Sequence, residues 1–146
     1  MFTGFMGEFE HTVDEKGRIA IPAKFRSRFA DGLVVTRGLE SCLYVYTLAD
    51  WSSLAEKIAK LPLSQSNARS FQRIMFSGAT DCYPDQQGRI VLPAYLRAYA
   101  GIENEVVVAG SGTRLEIWPK ENWQEVKGKL EKESGSIAEQ LAHLGI

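Results

Sequence analysis

Two arginines, each the last residue of a short turn motif, are the side chains in this sequence best suited to chemistry. The stretches Asp14-Glu15-Lys16-Gly17-Arg18 and Asp85-Gln86-Gln87-Gly88-Arg89 share the pattern D-x-x-G-R. Aspartate at the first position and glycine at the fourth are typical of a type I turn. Such a turn holds its arginine outward, and a guanidinium can bond O6 and N7 of guanine together in the major groove. An arginine held outward in this way is a candidate for a base contact in double-stranded DNA, although a single turn of this kind is weak evidence for it.

Both motifs lie in a longer internal repeat. Residues 14–26 (DEKGRIAIPAKFR) and residues 85–97 (DQQGRIVLPAYLR) align without gaps at an offset of 71 positions, and Phe5/Phe76 and Gly7/Gly78 extend the match backward. A repeat has to be interpreted before single elements because it determines the fold. We interpret residues 1–146 as a single domain made of repeat 1, about 5–75, and repeat 2, about 76–146.

Length and composition predict a soluble globular chain. It has 146 residues, of which 45% are hydrophobic and 24% charged, enough to bury a core of its own. No apolar run approaches the roughly 18 residues of a membrane span, and the opening MFTGFMGEFEH has no secretory-signal pattern. We therefore expect a cytoplasmic protein with no membrane partner. Cys42 and Cys82 have no metal-type spacing and are expected to be small core residues.

Each half is predicted to contain a strand, the motif turn, a strand, a short helix and a second strand pair. In the first half the two strands around the turn are read as a β-hairpin, Pro22 opens the short helix, and Pro62 ends a longer one. The predicted ranges of the first half are 8–13, 18–21, 23–29, 33–36, 42–46 and a helix from about 50.

The second half follows the same order, with a hairpin over 79–92, a helix over 93–100, strands over 106–108 and 115–118, and a helix from Trp123. A helix over 66–76 is expected to join the halves. Ser136-Ile137-Ala138-Glu139 resembles a capping box and predicts a separate short helix through Leu144.

Neither half has a face large enough to close a core alone. Two copies of a strand–strand–helix–strand–strand unit can interleave into one compact barrel and leave fewer free sheet edges. The expected fold is therefore α+β, a β-barrel built from two internal repeats with peripheral helices.

The doubled pattern Asp-x-x-Gly-Arg-Ile-x-hydrophobic-Pro-Ala-x-x-Arg, together with Leu115-Glu116-Ile117-Trp118, closely resembles the MraZ family of bacterial transcriptional regulators. That family is related to the AbrB-type swapped-hairpin DNA-binding proteins. The resemblance covers nearly the whole chain and implies a barrel of the double-psi type. The opening MFTGFMGEF is a few residues longer than is usual in the family, which leaves Met1 and Met6 as alternative starts.

The same resemblance implies a partner and an assembly. It implies homo-oligomeric rings, such as an octamer or dodecamer, that bind short G-rich direct repeats in a promoter. In the family this promoter drives the division and cell-wall gene cluster, and the protein represses its own operon. Nucleoid association in the cytoplasm follows from that role.

The charge distribution places a basic patch in the first half. The net charge is −1, yet residues 16–28 hold five cations and no acid, whereas the chain from Glu103 onward holds eight glutamates against five basic residues. We expect this patch to face DNA. The candidate DNA-binding residues are Lys16, Arg18, Lys24 and Arg28, with Arg89 in second place.

The two copies are expected to differ in role. Arg18 is predicted to contact DNA, the alternative being that it only pairs with Asp14 across its own turn. Arg89 lies among fewer charges, so packing or a subunit contact is the favoured interpretation, and copy two would mainly complete the barrel. Arg26 and Arg97 occupy matching positions and are expected to serve the fold, for example by pairing with Asp14 and Asp85.

Catalysis has little support in the residues. No sequence pattern places a nucleophile next to His11 or His143, and the sequence shows no phosphate loop and no metal-type cluster. We therefore expect no catalytic residues, no metal and no cofactor. A ring-forming scaffold without specific DNA binding and an enzyme using a barrel cleft remain as alternatives. An antitoxin-type regulator of the same lineage fits the single-chain duplication and the long acidic tail poorly.

Overall fold

The computed structural model describes residues 2–146 and contains one large sheet, one short ribbon and two sets of helices. Met1, one of the two alternative starts, lies outside the described residues. The strands are β1 (Glu8–Thr12), β2 (Arg18–Ala20), β3 (Leu33–Arg37), β4 (Leu43–Thr47), β5 (Thr80–Cys82), β6 (Arg89–Val91), β7 (Glu105–Gly110) and β8 (Leu115–Pro119). The helices are α1 (Leu48–Ala59), α2 (Ser66–Gly78), α3 (Ala94–Ala100) and α4 (Lys120–Gln140), with 3₁₀ helices at Ala23–Phe29 and Ala142–Leu144.

Six strands form an antiparallel sheet in the order β1-β7-β8-β4-β3-β5, and β2 and β6 form a separate two-stranded ribbon. The predicted α+β class is confirmed, and the arrangement is consistent with the double-psi type of barrel. Within residues 2–146 the six-stranded sheet is not closed by hydrogen bonds, because β1 and β5 each pair on one side only. The predicted pairs β3–β4 and β7–β8 are both present.

The two predicted hairpins around the motif turns are wrong. β1 pairs with β7, β5 pairs with β3, and β2 pairs with β6, so the strands on either side of each turn have different partners. Inside the first turn the backbone bonds run from Asp14 N to Arg18 O and from Gly17 N to Asp14 O, both 3.0 Å, and beyond them the strands diverge. Sequence alternation shows which residues share a face, but it does not identify the neighbouring strand.

The main core lies between the ribbon and one face of the sheet. Ile19 and Ile90, paired on the ribbon, point into it together with alternate residues of the sheet strands. The first 3₁₀ helix adds Phe25 and Phe29, which pack on Phe5 with ring centroids 5.1 and 5.2 Å apart. Because ribbon and sheet come from both repeats, neither repeat could bury this core without the other.

The opposite face of the sheet carries α1, α2 and α4. Tyr44, Tyr46 and Trp118 form a second buried cluster there, against Trp51 of α1 and Trp123 of α4. Helix α2 packs on β3, where the buried Thr36 hydroxyl donates to Met75 O at 2.8 Å. The molecule thus has a ribbon layer, a sheet layer and a layer of long helices.

Two helix predictions need correction. The predicted short helix over 23–29 is present with these bounds, but it is a 3₁₀ helix, and Pro22 is its N-cap rather than its first residue. The predicted separate helix from Ser136 does not exist, because α4 continues without a break from Lys120 to Gln140. A capping box works only where the preceding residue leaves the helix, and residues 134–136 stay helical even though glycine and serine disfavour a helix there.

Gly17→Ala should destabilise the protein more than Gly101→Ala. Both glycines have positive φ, +78° and +69°, so both changes incur the roughly 1–2 kcal/mol cost of a left-handed alanine. A Cβ on Gly17 would lie 3.0 Å from Leu92 O and 3.1 Å from the Arg97 guanidinium, whereas one on Gly101 meets nothing within 4 Å. Urea unfolding of both variants gives the two free-energy changes. Equal losses in the free energy of unfolding would show that the contact between the first turn and the second repeat has room for a methyl group.

Candidate nucleic-acid interface

Each motif turn is closed by its aspartate. Asp14 Oδ1 accepts the backbone N–H groups of Lys16 at 2.9 Å and Arg18 at 2.8 Å, and Asp14 Oδ2 accepts Arg18 Nε at 2.6 Å. Among the hydrogen bonds of residues 2–146, the only one that the Arg18 side chain donates runs from Nε to Asp14 Oδ2. Its two terminal nitrogens therefore stay available for a ligand, so the pairing with Asp14 orients the guanidinium without consuming it.

The second copy repeats this geometry. Asp85 Oδ1 accepts Gln87 N and Arg89 N, both at 2.9 Å, and Asp85 Oδ2 accepts Arg89 Nε at 2.9 Å. The arginine side chains are 30% and 31% exposed, so solvent reaches them equally. Arg89 is thus held as Arg18 is, although packing was the favoured prediction for it.

The same contacts keep both aspartates ionised. The pKa of Asp14 is lowered, first by the backbone N–H of Arg18 and then by the Arg18 side chain and Lys16 N–H, against a smaller opposing effect of burial. The pKa of Asp85 is lowered in the same way by Arg89 and Gln87. Each turn therefore presents an ion pair at neutral pH, with the positive end extending outward.

The ribbon brings the two arginines together. In its register Arg18 faces Val91, Ile19 faces Ile90 and Ala20 faces Arg89. Residues two apart on a strand share a face, and Ile19 and Ile90 are buried, so both arginines lie on the outward face. They form a diagonal pair, for which Cα atoms lie roughly 7–8 Å apart. The exposed Val91 completes this surface, which we call the ribbon face (Arg18, Ala20, Arg89 and Val91).

The other candidate cations are distributed differently. Lys16 is exposed in the first turn, beside Glu15 and Glu103 in an open surface depression. Lys24 follows the other end of the ribbon, where Ile21 N donates to Gly88 O at 2.9 Å. The structure therefore places one lysine near each end of the ribbon face.

Arg28 lies away from the first turn. Its guanidinium is 3.9 Å from the centroid of the Phe5 ring, and Phe5 bridges to Gly112 beyond the start of β1. Asp14 follows the other end of β1, a strand of five residues spanning on the order of 16 Å. The five predicted DNA-binding residues are thus not one patch, and Arg28 is the one that the fold separates from the turn motif.

Arg26 and Arg97 do not pair with the aspartates, contrary to the prediction. Arg26 Nε donates to Ile21 O at 3.2 Å, and Arg97 Nε donates to Leu92 O at 3.0 Å. Each guanidinium also lies against the turn glycine of the other copy, Gly88 for Arg26 and Gly17 for Arg97. Their positions in the repeat indicated a common role, but not that the role is to contact the opposite turn.

The described residues offer little for other chemistry. Burial, and secondarily Arg26, lowers the pKa of His11, which favours its neutral form. Cys42 and Cys82 are buried as predicted, and burial raises their pKa values to about 12 and about 11, so neither is a reactive thiolate. Within residues 2–146 no group of three or more His, Cys, Asp or Glu residues could hold a metal ion. Over the same residues, no helix combines the length and apolar character needed to cross a membrane.

This geometry defines an internally duplicated α+β domain whose exposed ribbon takes one oriented arginine from each repeat, so that neither repeat forms the site alone. Comparison with known proteins identifies the family. The family model described as MraZ protein, antitoxin-like, matches twice, over residues 4–74 and 75–144. The chain belongs to the MraZ family, as the sequence resemblance suggested.

Curated relatives match over nearly their whole length. The Transcriptional regulator MraZ of Herpetosiphon aurantiacus is 51% identical over 142 residues, covering 97% of this chain and 99% of the relative. The proteins of the same name from Halothermothrix orenii and Natranaerobius thermophilus are 48% and 46% identical with the same coverage. These names agree with the prediction of a transcriptional regulator rather than an enzyme.

The stability of the protein should fall as the pH drops through the lowered pKa values of Asp14 and Asp85. A carboxylate whose pKa is depressed on folding stabilises the native state above its unfolded value, about 3.9, and loses that contribution as the pH falls through the folded value. Urea unfolding at pH 6 and pH 3 should show a smaller acid loss in Asp14→Asn/Asp85→Asn than in the wild type. Asp31→Asn, an exposed position outside both turns, is the control and should behave as the wild type does. An unchanged acid loss in the double variant would contradict this.

Proposed function

We propose that this protein is a DNA-binding transcriptional regulator that places its ribbon face in the major groove. The observation that carries the proposal is the pair of oriented arginines, Arg18 and Arg89, on the outward side of one two-stranded ribbon. A two-stranded ribbon fits the width of the major groove. The names of the relatives as transcriptional regulators support the same function.

In this proposal the two arginines read bases and the lysines position the ribbon. Each guanidinium keeps its terminal nitrogens for guanine O6 and N7, since only its Nε is bound to aspartate. Lys16 and Lys24 would contact phosphates at the two ends of the ribbon face. Val91 lies directly across the ribbon from Arg18 and is 55% exposed, so it offers an apolar contact for a thymine methyl group.

The equal geometry of the two arginines changes the expected division of roles. The sequence predicted that copy one reads DNA and that copy two completes the barrel. Arg18 and Arg89 share exposure, ion pairing and ribbon face, so we now assign base contact to both, with Arg28 outside the primary surface. The larger number of cations near Arg18 makes copy one the stronger electrostatic partner.

Arg18→Ala and Arg89→Ala should each weaken binding to the DNA upstream of the protein's own gene. Loss of a bidentate guanine contact costs about 1–3 kcal/mol, or roughly 5- to 150-fold in affinity at each engaged ribbon. A gel shift against scrambled DNA measures this, with size exclusion confirming assembly. Lys132→Ala, an exposed cation on the opposite layer of the molecule, is the matched control and should bind as the wild type does.

The outcomes separate the alternatives. Full binding by Arg89→Ala, with loss in Arg18→Ala, would restore the earlier assignment to copy one alone. An unchanged shift in both variants would contradict the ribbon face as the interface. A wild-type protein that does not distinguish its upstream DNA from scrambled DNA would instead fit a scaffold without specific DNA binding.

We further propose that the protein acts as a closed homo-oligomeric ring, such as an octamer or dodecamer, on short G-rich direct repeats in the cytoplasmic nucleoid. It would thereby repress its own division and cell-wall gene cluster. A single ribbon with two base contacts and a few phosphate contacts binds weakly, and several linked ribbons raise affinity by avidity. This advantage exists only if the repeats have the spacing that the ring imposes.

Inserting five base pairs between operator repeats should strongly reduce binding. The insertion turns one repeat by about half a helical turn, so a rigid set of ribbons can no longer engage both sites. A gel shift compares this operator with one carrying a ten-base-pair insertion, which restores the helical phase. If both spacings bind like the native operator, the ribbons do not act together.

A further inference from the structure

The second half of helix α4 has an apolar face with no partner in its own chain. Helix α4 is anchored near its start, where Lys127 Nζ bonds Glu8 Oε1 at 2.7 Å and the Trp123 ring lies 5.9 Å from that of Trp118. Every residue from 129 to 146 is exposed, and we call this stretch the distal segment. Apart from the backbone bonds of the helix itself, no hydrogen bond or ion pair among residues 2–146 ties the distal segment to the body.

The distal segment continues the stripe that docks α4 onto the sheet. Val126 packs against the second core cluster. On the same helical face, Leu130 follows four residues after Val126, and Ile137 follows seven residues after Leu130. Leu141 and Leu144 follow beyond the end of α4, in and next to the short 3₁₀ helix. The exposed fractions of Leu130, Ile137, Leu141 and Leu144 are 46%, 37%, 39% and 62%. One apolar stripe is therefore used in its first half and uncovered in its second.

The uncovered half is a poor helix on its own. Gly135 lies between Ser134 and Ser136, and Gly128 lies one residue before the distal segment. Glycine and serine both lower helix stability relative to alanine, and short isolated helices are marginal in water. Most helical stability in proteins comes from packing of an apolar face, so this stretch needs a partner surface to stay helical.

Helices α1 and α2 offer a surface of complementary charge. Residues 48–78 carry four cations against two acids (Lys57, Lys60, Arg69 and Arg73 against Asp50 and Glu56). The distal segment carries three glutamates against two lysines (Glu131, Glu133 and Glu139 against Lys129 and Lys132), so the two surfaces have net charges of opposite sign. The same helices and their connecting turn expose apolar side chains, namely Leu48, Leu63, Ile74 and Phe76. We call the exposed side chains of residues 48–78 the α1–α2 surface.

We propose that the distal segment of one subunit docks on the α1–α2 surface of a second copy of this chain, in a head-to-tail contact. The apolar stripe meets the exposed apolar side chains, and Glu133, at the edge of the stripe between Leu130 and Ile137, faces the cations. This contact rests on the proposed closed oligomer and specifies its interface. A contact between two different surfaces of identical chains repeats, and it closes into a ring when the rotation permits.

The layer arrangement favours this occupant over DNA. Helices α1, α2 and α4 cover one face of the sheet, and the ribbon covers the other. A subunit contact confined to the helix layer leaves Arg18 and Arg89 exposed on every copy. The cations of α1 and α2 lie on the far side of the sheet from the ribbon face, so one duplex in the major-groove position would not reach them.

Light scattering on two complementary variants tests the contact. The tail variant Leu130→Asp/Ile137→Asp and the surface variant Arg73→Glu/Phe76→Glu should both have the mass of one chain, because each disables one side. Since Phe76 also packs on Trp51, with ring centroids 6.0 Å apart, Ala59→Glu/Arg73→Glu serves as a second surface variant that keeps this packing. Lys132→Asp/Glu139→Asp puts aspartates on the opposite helical face and should keep the wild-type mass. Circular dichroism confirms that each variant is folded.

Thiol cross-linking identifies the two partners directly. Cys42 and Cys82 are buried, so introduced cysteines report alone. A mixture of Glu133→Cys and Arg73→Cys chains should give a covalent dimer with a short bis-maleimide, and neither variant alone should. Dimers of Glu133→Cys alone would mean that two distal segments pair with each other, which overturns the proposal. Wild-type mass in the tail variant would also overturn it.

The readouts separate this contact from the proposed function. A wild-type chain that is monomeric in solution would contradict both the closed oligomer and the contact. A wild-type oligomer that persists in the tail and surface variants would contradict only the contact. Loss of DNA binding in Arg18→Ala with the assembled mass unchanged would support the ribbon face as the DNA interface and would not bear on the subunit contact.

Discussion

The structure depends on one reciprocal contact between the two repeats, the pairing of β2 with β6. Around its three residue pairs, Ile21 N donates to Gly88 O at 2.9 Å and Leu92 N donates to Gly17 O at 2.8 Å. Each turn glycine thus accepts a backbone bond from the other copy. Because Ile19 and Ile90 enter the core from this ribbon, removing either repeat would leave the other with unpaired backbone and an open core.

The same contact builds the candidate DNA surface. A turn that only closed a local hairpin would hold its arginine against its own strand. Since the ribbon is made of one strand from each copy, the two D-x-x-G-R turns lie at its opposite ends and both arginines emerge on one face. Arg26 and Arg97 strengthen this arrangement by bonding the ribbon's end carbonyls while they contact the opposite turn. Fold and site therefore share the same hydrogen bonds.

Much of this could be predicted from the sequence, because the information is local. Asp14 and Gly17 fix their turn through contacts within four residues, and the alternation of β3 and β4 shows which side chains are buried. Strand partners could not be predicted in this way, since Arg18 pairs with Val91 at a distance along the chain that no local preference encodes. The hairpin interpretation was wrong for that reason. The shared face of Arg18 and Arg89 could not be foreseen either, and the division of roles between them stays a prediction.

The sequence predicted a separate helix from Ser136, and the single continuous helix α4 differs from that prediction for a related reason. Local preferences at residues 134–136 favour a break, yet the helix continues through a segment that its own chain does not cover. Most of the stability of such a helix has to come from packing of its apolar face rather than from local preference. In this protein the non-local interactions are divided between two layers. The ribbon layer joins the two repeats of one chain and carries the arginines, while the helix layer keeps an uncovered apolar stripe. A chain organised in this way can assemble through one side and bind DNA through the other, without either contact obstructing its neighbour.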